Sequence, residues 1–224
     1  MKVKWLGHAS FLITAENGTK IINDPYKTGD TLEYDEIKET ADIITVSHDH
    51  FDHNYVETIT GNFEVVKETK KVKDISFKGI HSYHDDSDGS QRGGNTIFCF
   101  KVDGVLVCHL GDLGHPLRGN VITEIGRPDV LLIPVGGNYT IGSEEASEVI
   151  RYMFPRNVIP MHYNNERCPD FPVASVDEFL KRKPRITRMN DSEVEFKNEP
   201  VPEQGWSPKF ATDLTKIFVL KPAL

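Results

Sequence analysis

The sequence Ser47-His48-Asp49-His50-Phe51-Asp52-His53 carries three imidazoles and two carboxylates, and it directly follows an apolar, β-branched run at residues 41–46. Such a run is typical of a buried strand. Neutral imidazoles and carboxylates suit a divalent metal ion of the zinc class, and a catalytic site of this kind leaves one coordination position open. The alternative is a solvated polar loop that is rich in histidine. The specific H-x-H-x-D-H spacing behind a buried strand favours the metal site.

The spacing of this motif predicts two neighbouring groups of ligands. Residues two apart point to the same side of an extended strand end, so His48 and His50 can converge on one point. Asp52 and His53 follow where the chain is expected to turn into a helix, and they can face a second point beside the first.

Five other stretches of the chain carry further histidine, aspartate or other polar residues. They are Trp5-Leu6-Gly7-His8-Ala9-Ser10, Asn23-Asp24-Pro25, His84-Asp85, His-Leu-Gly-Asp-Leu-Gly-His at 109–115 and Ile-Pro-Met-His-Tyr at 159–163. Together with the histidine motif, these stretches resemble the metallo-β-lactamase superfamily. Within it, the sequence is similar to small stand-alone hydrolases grouped with L-ascorbate-6-phosphate lactonase and with predicted zinc-dependent hydrolases. The resemblance covers roughly residues 1–163, and the chain beyond His162 matches less clearly.

Length and composition indicate a globular protein with a single domain over residues 1–224. A net charge of −8 at pH 7, without a basic stripe, argues against a nucleic-acid partner. Cys99, Cys108 and Cys168 have no metal-type spacing, and we expect no disulfide framework. The sequence shows neither a signal peptide nor an apolar run that could span a bilayer. We therefore expect a cytoplasmic protein without a membrane partner.

Hydrophobic periodicity predicts hairpins early in the chain and β-α-β units later. One strand is expected over 1–14, interrupted at Gly7-His8, and an Asp-Gly turn at 103–104 joins two more strands. A continuous apolar run at 130–135 predicts a central buried strand. The predicted helices are 54–60, 143–154 with Ser143 as the N-cap, and 176–181. The other predicted strands are 20–23, 63–66, 75–77, 96–102, 105–110, 157–160 and 216–220.

This pattern indicates an α/β protein in which sheet packs on sheet and helices lie outside. Periodicity alone goes no further than that class. The resemblance implies the αββα sandwich of the metallo-β-lactamase fold, with the metals at one edge between the sheets.

The resemblance also implies a ligand set for two divalent metal ions. The residues that match ligands of the first metal are His48, His50 and His84. Those that match ligands of the second are Asp52, His53 and His162, and Asp112 would bridge the two metals. Zinc is the expected ion, with manganese or iron as alternatives, because all of these donors are nitrogen and oxygen atoms.

Two other histidines compete for ligand roles. His81 and His84 have opposite parity, so a regular strand directs them to opposite faces. We choose His84, because Asp85 and a glycine-rich loop follow it as in the similar proteins. His109 shares a strand face with apolar residues, and we expect it in the core.

Five more residues are candidates for orienting the ligands or for contacting the substrate. Asp24 is predicted to accept a hydrogen bond from a ligand imidazole or from an amide of the motif loop, the alternative being a simple Asp-Pro turn. His8 is expected near the site with its role open. His115 either contacts a ligand or the substrate, or is exposed. Asn95 and Tyr139 could line the mouth and donate to a developing oxyanion.

The ligand set predicts metal-dependent hydrolysis of a small ester, lactone or phosphodiester. Two metals would yield hydroxide near neutral pH, and Asp52 or Asp112 would accept a proton as it attacks. A non-catalytic metal-binding protein on the same fold is one alternative, and the complete ligand set disfavours it. A di-iron oxidoreductase, in which a glutamate would replace His50, and a nuclease are weaker alternatives. The expected partner is a small-molecule substrate, and the segment 199–208 would cover the pocket or meet a neighbouring subunit in a homo-oligomer.

Overall fold

Strands dominate this protein, whose computed structural model describes residues 1–29, 31–199 and 214–224. The strands are β1 (Lys2–Gly7), β2 (Ser10–Thr14), β3 (Lys20–Asn23), β4 (Ile43–Thr45), β5 (Glu64–Val66), β6 (Lys70–Val72), β7 (Ile75–Tyr83), β8 (Gly94–Val102), β9 (Val105–His109), β10 (Val130–Pro134), β11 (Asn157–Met161), β12 (Ile186–Arg188), β13 (Glu193–Glu195) and β14 (Lys216–Val219). The helices are α1 (Asn120–Ile125), α2 (Ser143–Met153) and α3 (Val176–Leu180). Apart from Glu199, the predicted tail segment 199–208 lies outside the described residues.

The strands form two mixed sheets. In the described part of the chain, one sheet has the order β13-β1-β2-β3-β4-β5 and the other the order β12-β14-β11-β10-β9-β8-β7-β6. In the second sheet β8 is antiparallel to β7 and β9, and β10 is parallel to β9 and β11. Strands β7, β9, β10 and β11 therefore run in one direction, and their carboxyl ends share one edge.

Successive side chains of β3 and β4 in the first sheet point alternately into two apolar layers, one on each face of the sheet. Ile21 and Ile43 join the main core, which also contains Phe98 and Leu131 of the second sheet. Their neighbours Ile22 and Ile44 point away from it into a smaller apolar cluster. Because side chains alternate between the faces of a strand, both faces of these strands are buried, and the two sheets pack against each other.

Different structures cover the two outer faces. Helix α2 buries Ala146, Val149, Ile150 and Met153, the face that its sequence predicts. The smaller apolar cluster outside the first sheet is closed by buried residues of the irregular segment after β3, such as Tyr26 and Tyr34, and it contains no helical residue among those described. No helix within the described ranges is long and apolar enough to cross a membrane.

The chain reverses where the sequence predicted one interrupted strand over 1–14. Strands β1 and β2 are antiparallel neighbours, with Trp5 opposite Phe11 and a register shift between Trp5 and Gly7. His8 adopts a φ of 51° at the reversal. Left-handed backbone at this position turns the chain back on itself, which hydrophobic periodicity does not encode.

Two helix predictions also need correction. Residues 54–60 form turns and a bridge instead of a helix, because their backbone groups bond to other segments: Tyr55 N–H donates to Pro25 O at 2.8 Å. Helix α2 is capped by Gly142 and not by Ser143, and the Gly142 N–H donates to Glu145 Oε2 at 2.8 Å. The acidic side chain at the third helical position thus replaces a serine cap.

Candidate metal centre

The candidate ligands lie on loops that leave the two sheets at a common edge. The histidine motif follows β4, His84 follows β7, Asp112 follows β9 and His162 follows β11. His8 lies at the reversal between β1 and β2. Because these strand ends meet, side chains that are far apart in sequence become neighbours.

His48, His50 and His84 form what we call the outer cluster. Their donor atoms all lie within 4.8 Å of one another. His50 is exposed, His48 is half-buried and His84 is buried. His81 lies outside the cluster, exposed, with its ring 4.8 Å from that of Tyr83. The structure therefore places His84, and not His81, beside the two motif histidines.

Asp52, His53, His162 and His8 form the inner cluster. The donor atoms of all four residues lie within 4.8 Å of one another. The three histidines are buried, and the Asp52 side chain is 16% exposed. The sequence left the role of His8 open, and the only signal for it was its position in a Gly-His-Ala-Ser strand break.

Asp112 lies between the two clusters. Its Oδ2 atom is 3.1 Å from Nε2 of His84, an outer-cluster residue. The same Oδ2 is 3.2 Å from Nε2 of His162, and Oδ1 is 3.2 Å from Nε2 of His53. One buried carboxylate thus contacts imidazoles of both clusters.

Asp24 holds the motif loop from behind. Its Oδ1 accepts a hydrogen bond from the Ser47 N–H at 2.8 Å, and its Oδ2 accepts one from the Ser47 hydroxyl at 2.5 Å. Oδ2 also lies 2.9 Å from Nδ1 of His53, and Ser47 Oγ lies 2.9 Å from Nδ1 of His48. These contacts direct Nε2 of both imidazoles toward the centre. Ser47 was not among the predicted site residues, although its position just before the motif was a signal.

The carbonyl of Tyr139 orients His84. Nδ1 of His84 lies 3.1 Å from Tyr139 O, which leaves Nε2 facing Asp112. The phenol ring of Tyr139 stacks on Phe171, with the ring centroids 5.6 Å apart. The oxyanion role suggested for this residue stays a prediction.

Asn95 does not have the free amide hydrogens that the predicted oxyanion role requires. It is buried, and its Nδ2 donates to Ser82 Oγ at 2.8 Å and to Leu110 O at 2.9 Å. Its Oδ1 accepts from the Asp112 N–H at 3.0 Å. Because both amide hydrogens are already used, Asn95 fixes the Asp112 loop and cannot donate to an oxyanion. A Cβ atom at Gly111 would lie 2.3 Å from this Oδ1, so the loop requires glycine there.

The two remaining histidines of the 109–115 stretch support the backbone. His109 is fully buried, with Nε2 2.9 Å from Ala9 O and Nδ1 accepting from the Gly111 N–H at 3.1 Å, as expected for a core residue. His115 is half-buried, and its Nε2 accepts from the Tyr83 N–H at 3.3 Å. His115 thus supports the strand end that carries His84.

Asp112 and the imidazoles beside it shift one another's pKa values. Burial alone would raise the pKa of this carboxyl, but His162 and His53 outweigh it and hold the pKa well below its usual range. Burial would likewise lower the pKa of His53, whereas Asp112 and Asp52 raise it well above the ordinary value. The pKa of His84 is raised by Asp112 in the same way, despite burial.

His8 and His48 behave differently because burial dominates their titration. Burial, reinforced by His162, lowers the pKa of His8 to about 4. Burial, reinforced by His53, lowers the pKa of His48 to about 3. Both imidazoles are therefore neutral near pH 7, the form that binds a metal.

The residues present fit a divalent metal ion. Several buried donor atoms in the centre have no partner in hydrogen-bond geometry, although Nε2 of His53 and Oδ1 of Asp112 lie 3.2 Å apart: they are Nε2 of His8, His48 and His53 and Oδ1 of Asp112. Buried polar atoms without partners are uncommon and costly. Metal binding at the two clusters would satisfy these atoms, and nitrogen and oxygen donors suit zinc, manganese and iron.

A cleft of about 420 Å³ adjoins the outer cluster. Its lining includes His48 and His50, together with Lys67 and Arg92. The Arg92 guanidinium lies 5.7 Å from the centroid of the Tyr139 ring. The cleft therefore borders the two motif histidines of the outer cluster.

Comparison with known families agrees with this geometry. Residues 2–162 match the model of the beta-lactamase superfamily domain, a range that contains every candidate ligand. The chain belongs to the metallo-β-lactamase superfamily. Its two mixed sheets and few helices agree with the α/β sandwich of that superfamily, although among the described residues irregular segments, and not helices, cover the outer face of the first sheet.

Similar proteins within the metallo-β-lactamase superfamily point to an activity. A UPF0173 metal-dependent hydrolase of Pyrococcus furiosus is 33% identical, with 81% of this chain and 91% of the relative aligned. A UPF0173 metal-dependent hydrolase of Archaeoglobus fulgidus is 31% identical, with 87% and 94% aligned. The crystal structure of a candidate Zn-dependent hydrolase of this superfamily from Thermotoga maritima has a TM-score of 0.76 and 35% identity, covering 98% of this chain and 97% of that one.

The chain is thus a metal-dependent hydrolase of the metallo-β-lactamase superfamily. It carries a His/Asp cluster that could bind metal. The narrower likeness to the L-ascorbate-6-phosphate lactonase group stays a prediction.

Proposed function

We propose that this hydrolase uses two divalent metal ions to cleave a small ester, lactone or phosphodiester. One observation supports this most directly: the candidate ligands fall into two clusters, and the Asp112 carboxylate contacts imidazoles of both. Zinc is the best match, and manganese or iron would also suit the donors. Two such ions would lower the pKa of a water molecule and polarise the scissile carbonyl or phosphoryl group.

Each protein residue then has a defined task. His48, His50 and His84 would hold the outer metal, Asp52, His53 and His162 the inner metal, and Asp112 both. Asp24 and Ser47 fix the direction of the motif imidazoles through the hydrogen bonds described above.

A carboxylate would take up the proton that the reaction releases. Asp52 and Asp112 are the two candidates. Both oxygens of Asp112 face imidazoles, whereas the Asp52 side chain keeps 16% of its surface exposed. Asp52 can therefore pass a proton to solvent more readily than Asp112.

The cleft indicates a small-molecule substrate. Its volume of about 420 Å³ lies in the range of sites for small ligands. Arg92 in its lining would accommodate the negative charge of a phosphodiester. The net charge of −8 gives no support to a nucleic-acid partner.

Metal analysis of the purified protein followed by an activity panel tests the proposal. We expect about two metal ions per chain after reconstitution with zinc, manganese or iron. We also expect turnover of at least one lactone, ester or phosphodiester that a chelator abolishes. His48→Ala and His162→Ala should each reduce metal content. Protein that stays metal-free with all three ions would refute the site, and metal-loaded protein without hydrolysis across the panel would favour a non-catalytic metal-binding role.

A further inference from the structure

The backbone of His8 is held in an unusual conformation at the metal centre. Its φ is 51°, in the left-handed region that a histidine rarely adopts, and the residue is 1% exposed. Its carbonyl accepts hydrogen bonds from Trp5 Nε1 at 3.0 Å and from the His162 N–H at 3.2 Å. Strain of this kind persists where the surrounding structure imposes it, often at functional sites. The contacts with β1 and with the end of β11 fix where the His8 imidazole points.

The imidazole of His8 points into the inner cluster. Its ring centroid lies 4.3 Å from that of His162 and 5.2 Å from that of His53. Nε2 is buried, makes no hydrogen bond and lies 3.3 Å from Asp52 Oδ2. Its distances to the other donor atoms of the inner cluster are all within 4.8 Å, the spacing of ligands around one ion.

The two clusters differ in access. The three histidines of the inner cluster are nearly inaccessible to solvent, whereas His50 of the outer cluster is exposed. Among the described residues, the lining of the cleft includes His48 and His50 but no inner-cluster residue. A molecule in the cleft therefore borders residues of the outer cluster and none of the inner cluster.

We propose that Nε2 of His8 is a fourth protein donor to the inner metal position, beside Asp52, His53 and His162. The inference rests on the proposed two-metal function and assigns a ligand beyond the set that the superfamily resemblance implied. With the shared Asp112, the inner position has five protein donors and the outer position four. A position with many donors and little access is closed, whereas catalytic positions keep a site open. The inner metal is accordingly the tightly held one, and the outer metal faces the substrate.

Nitrogen NMR of the cadmium-loaded protein tests this assignment directly. Metal-free full-length protein with ¹⁵N-labelled histidines is loaded with ¹¹³Cd²⁺, and one-bond coupling to each imidazole nitrogen is recorded. We expect coupling at His8 Nε2 as well as at His53 and His162. Coupling at those two residues without coupling at His8 would overturn the inference and leave the two-metal function standing. Absence of coupling at every histidine would overturn both.

Two variants supply an independent measurement. Asparagine and glycine both accept left-handed backbone, so His8→Asn and His8→Gly remove the imidazole without adding strain. We expect the tighter of the two zinc affinities, measured by competition with a chelator, to fall by more than about 100-fold. Loss of a residue that only orients a ligand costs about 10–100-fold, so a smaller loss would overturn the assignment as a ligand. His81→Asn, which changes an exposed histidine outside both clusters, should keep the wild-type affinity.

Discussion

Oδ2 of Asp24 lies 2.9 Å from Nδ1 of His53, and both side chains are completely buried. Asp24 itself is held at a φ of 41°, so the carboxylate is presented from a constrained turn. A carboxylate on the far nitrogen of a metal-binding imidazole fixes its tautomer and makes its other nitrogen more basic. The same carboxylate reaches His48 through Ser47, so one residue orients an imidazole in each cluster.

Asp24→Asn should therefore weaken metal binding without removing a ligand. Asparagine tolerates the left-handed turn, so the backbone can remain in place. We expect the zinc affinity to fall about 10–100-fold, measured by competition with a chelator. Asp42→Asn, a change at a half-buried aspartate that bonds Lys20 and Lys73, is the matched control and should leave the affinity unchanged. Equal affinities for Asp24→Asn and wild type would show that the hydrogen bond to His53 does not support metal binding.

Asp112→Asn should lower hydrolysis by several orders of magnitude while the protein stays folded. The substitution keeps the shape of the side chain but removes the charge that two adjacent cations share. Metal content should fall from about two ions per chain to about one. Asp129→Asn, a change at a carboxylate that pairs with Arg156 away from the centre, controls for the loss of one negative charge. Near wild-type turnover in Asp112→Asn would exclude a two-metal mechanism.

His84→Ala should empty the outer metal position, whereas His81→Ala should leave it filled. The reason is position: His84 Nε2 lies 3.1 Å from Asp112, whereas His81 is exposed and lies outside both clusters. Elemental analysis of both variants after zinc reconstitution makes the comparison. The reverse result would assign the third outer ligand to His81.

Zinc binding near pH 7 should release protons. In the metal-free protein, Asp112 raises the pKa of His53 and of His84, so protons must leave these imidazoles before a metal binds. His8 and His48, whose pKa values are lowered to about 4 and about 3, are already neutral and release none. Affinity should therefore rise as the pH rises through the raised pKa of His53. Calorimetric titration in buffers of different ionisation enthalpy measures the proton count, and zero release would contradict the charge arrangement described here.

Local sequence alone determined much of this centre. The apolar run before Ser47 predicts β4, and the H-x-H-x-D-H spacing predicts two groups of donors, because both features depend only on neighbouring residues. The order of motifs along the chain was sufficient to identify the superfamily, and the matched range of 2–162 agrees with it.

Tertiary structure alone decided the residues that hold the donors in place. Asn95 of β8 looked free in sequence, but β7 brings Ser82 to its amide, and the loop after β9 brings Leu110 and Asp112. His8 reaches the inner cluster only because the chain reverses there and β11 ends beside it, which places its carbonyl against the His162 N–H. Hydrogen bonds and ring contacts between residues about 150 positions apart cannot be predicted from the hydrophobic periodicity of either segment. The motif therefore predicts what can bind a metal, and the packing of two sheets decides which side chains surround it.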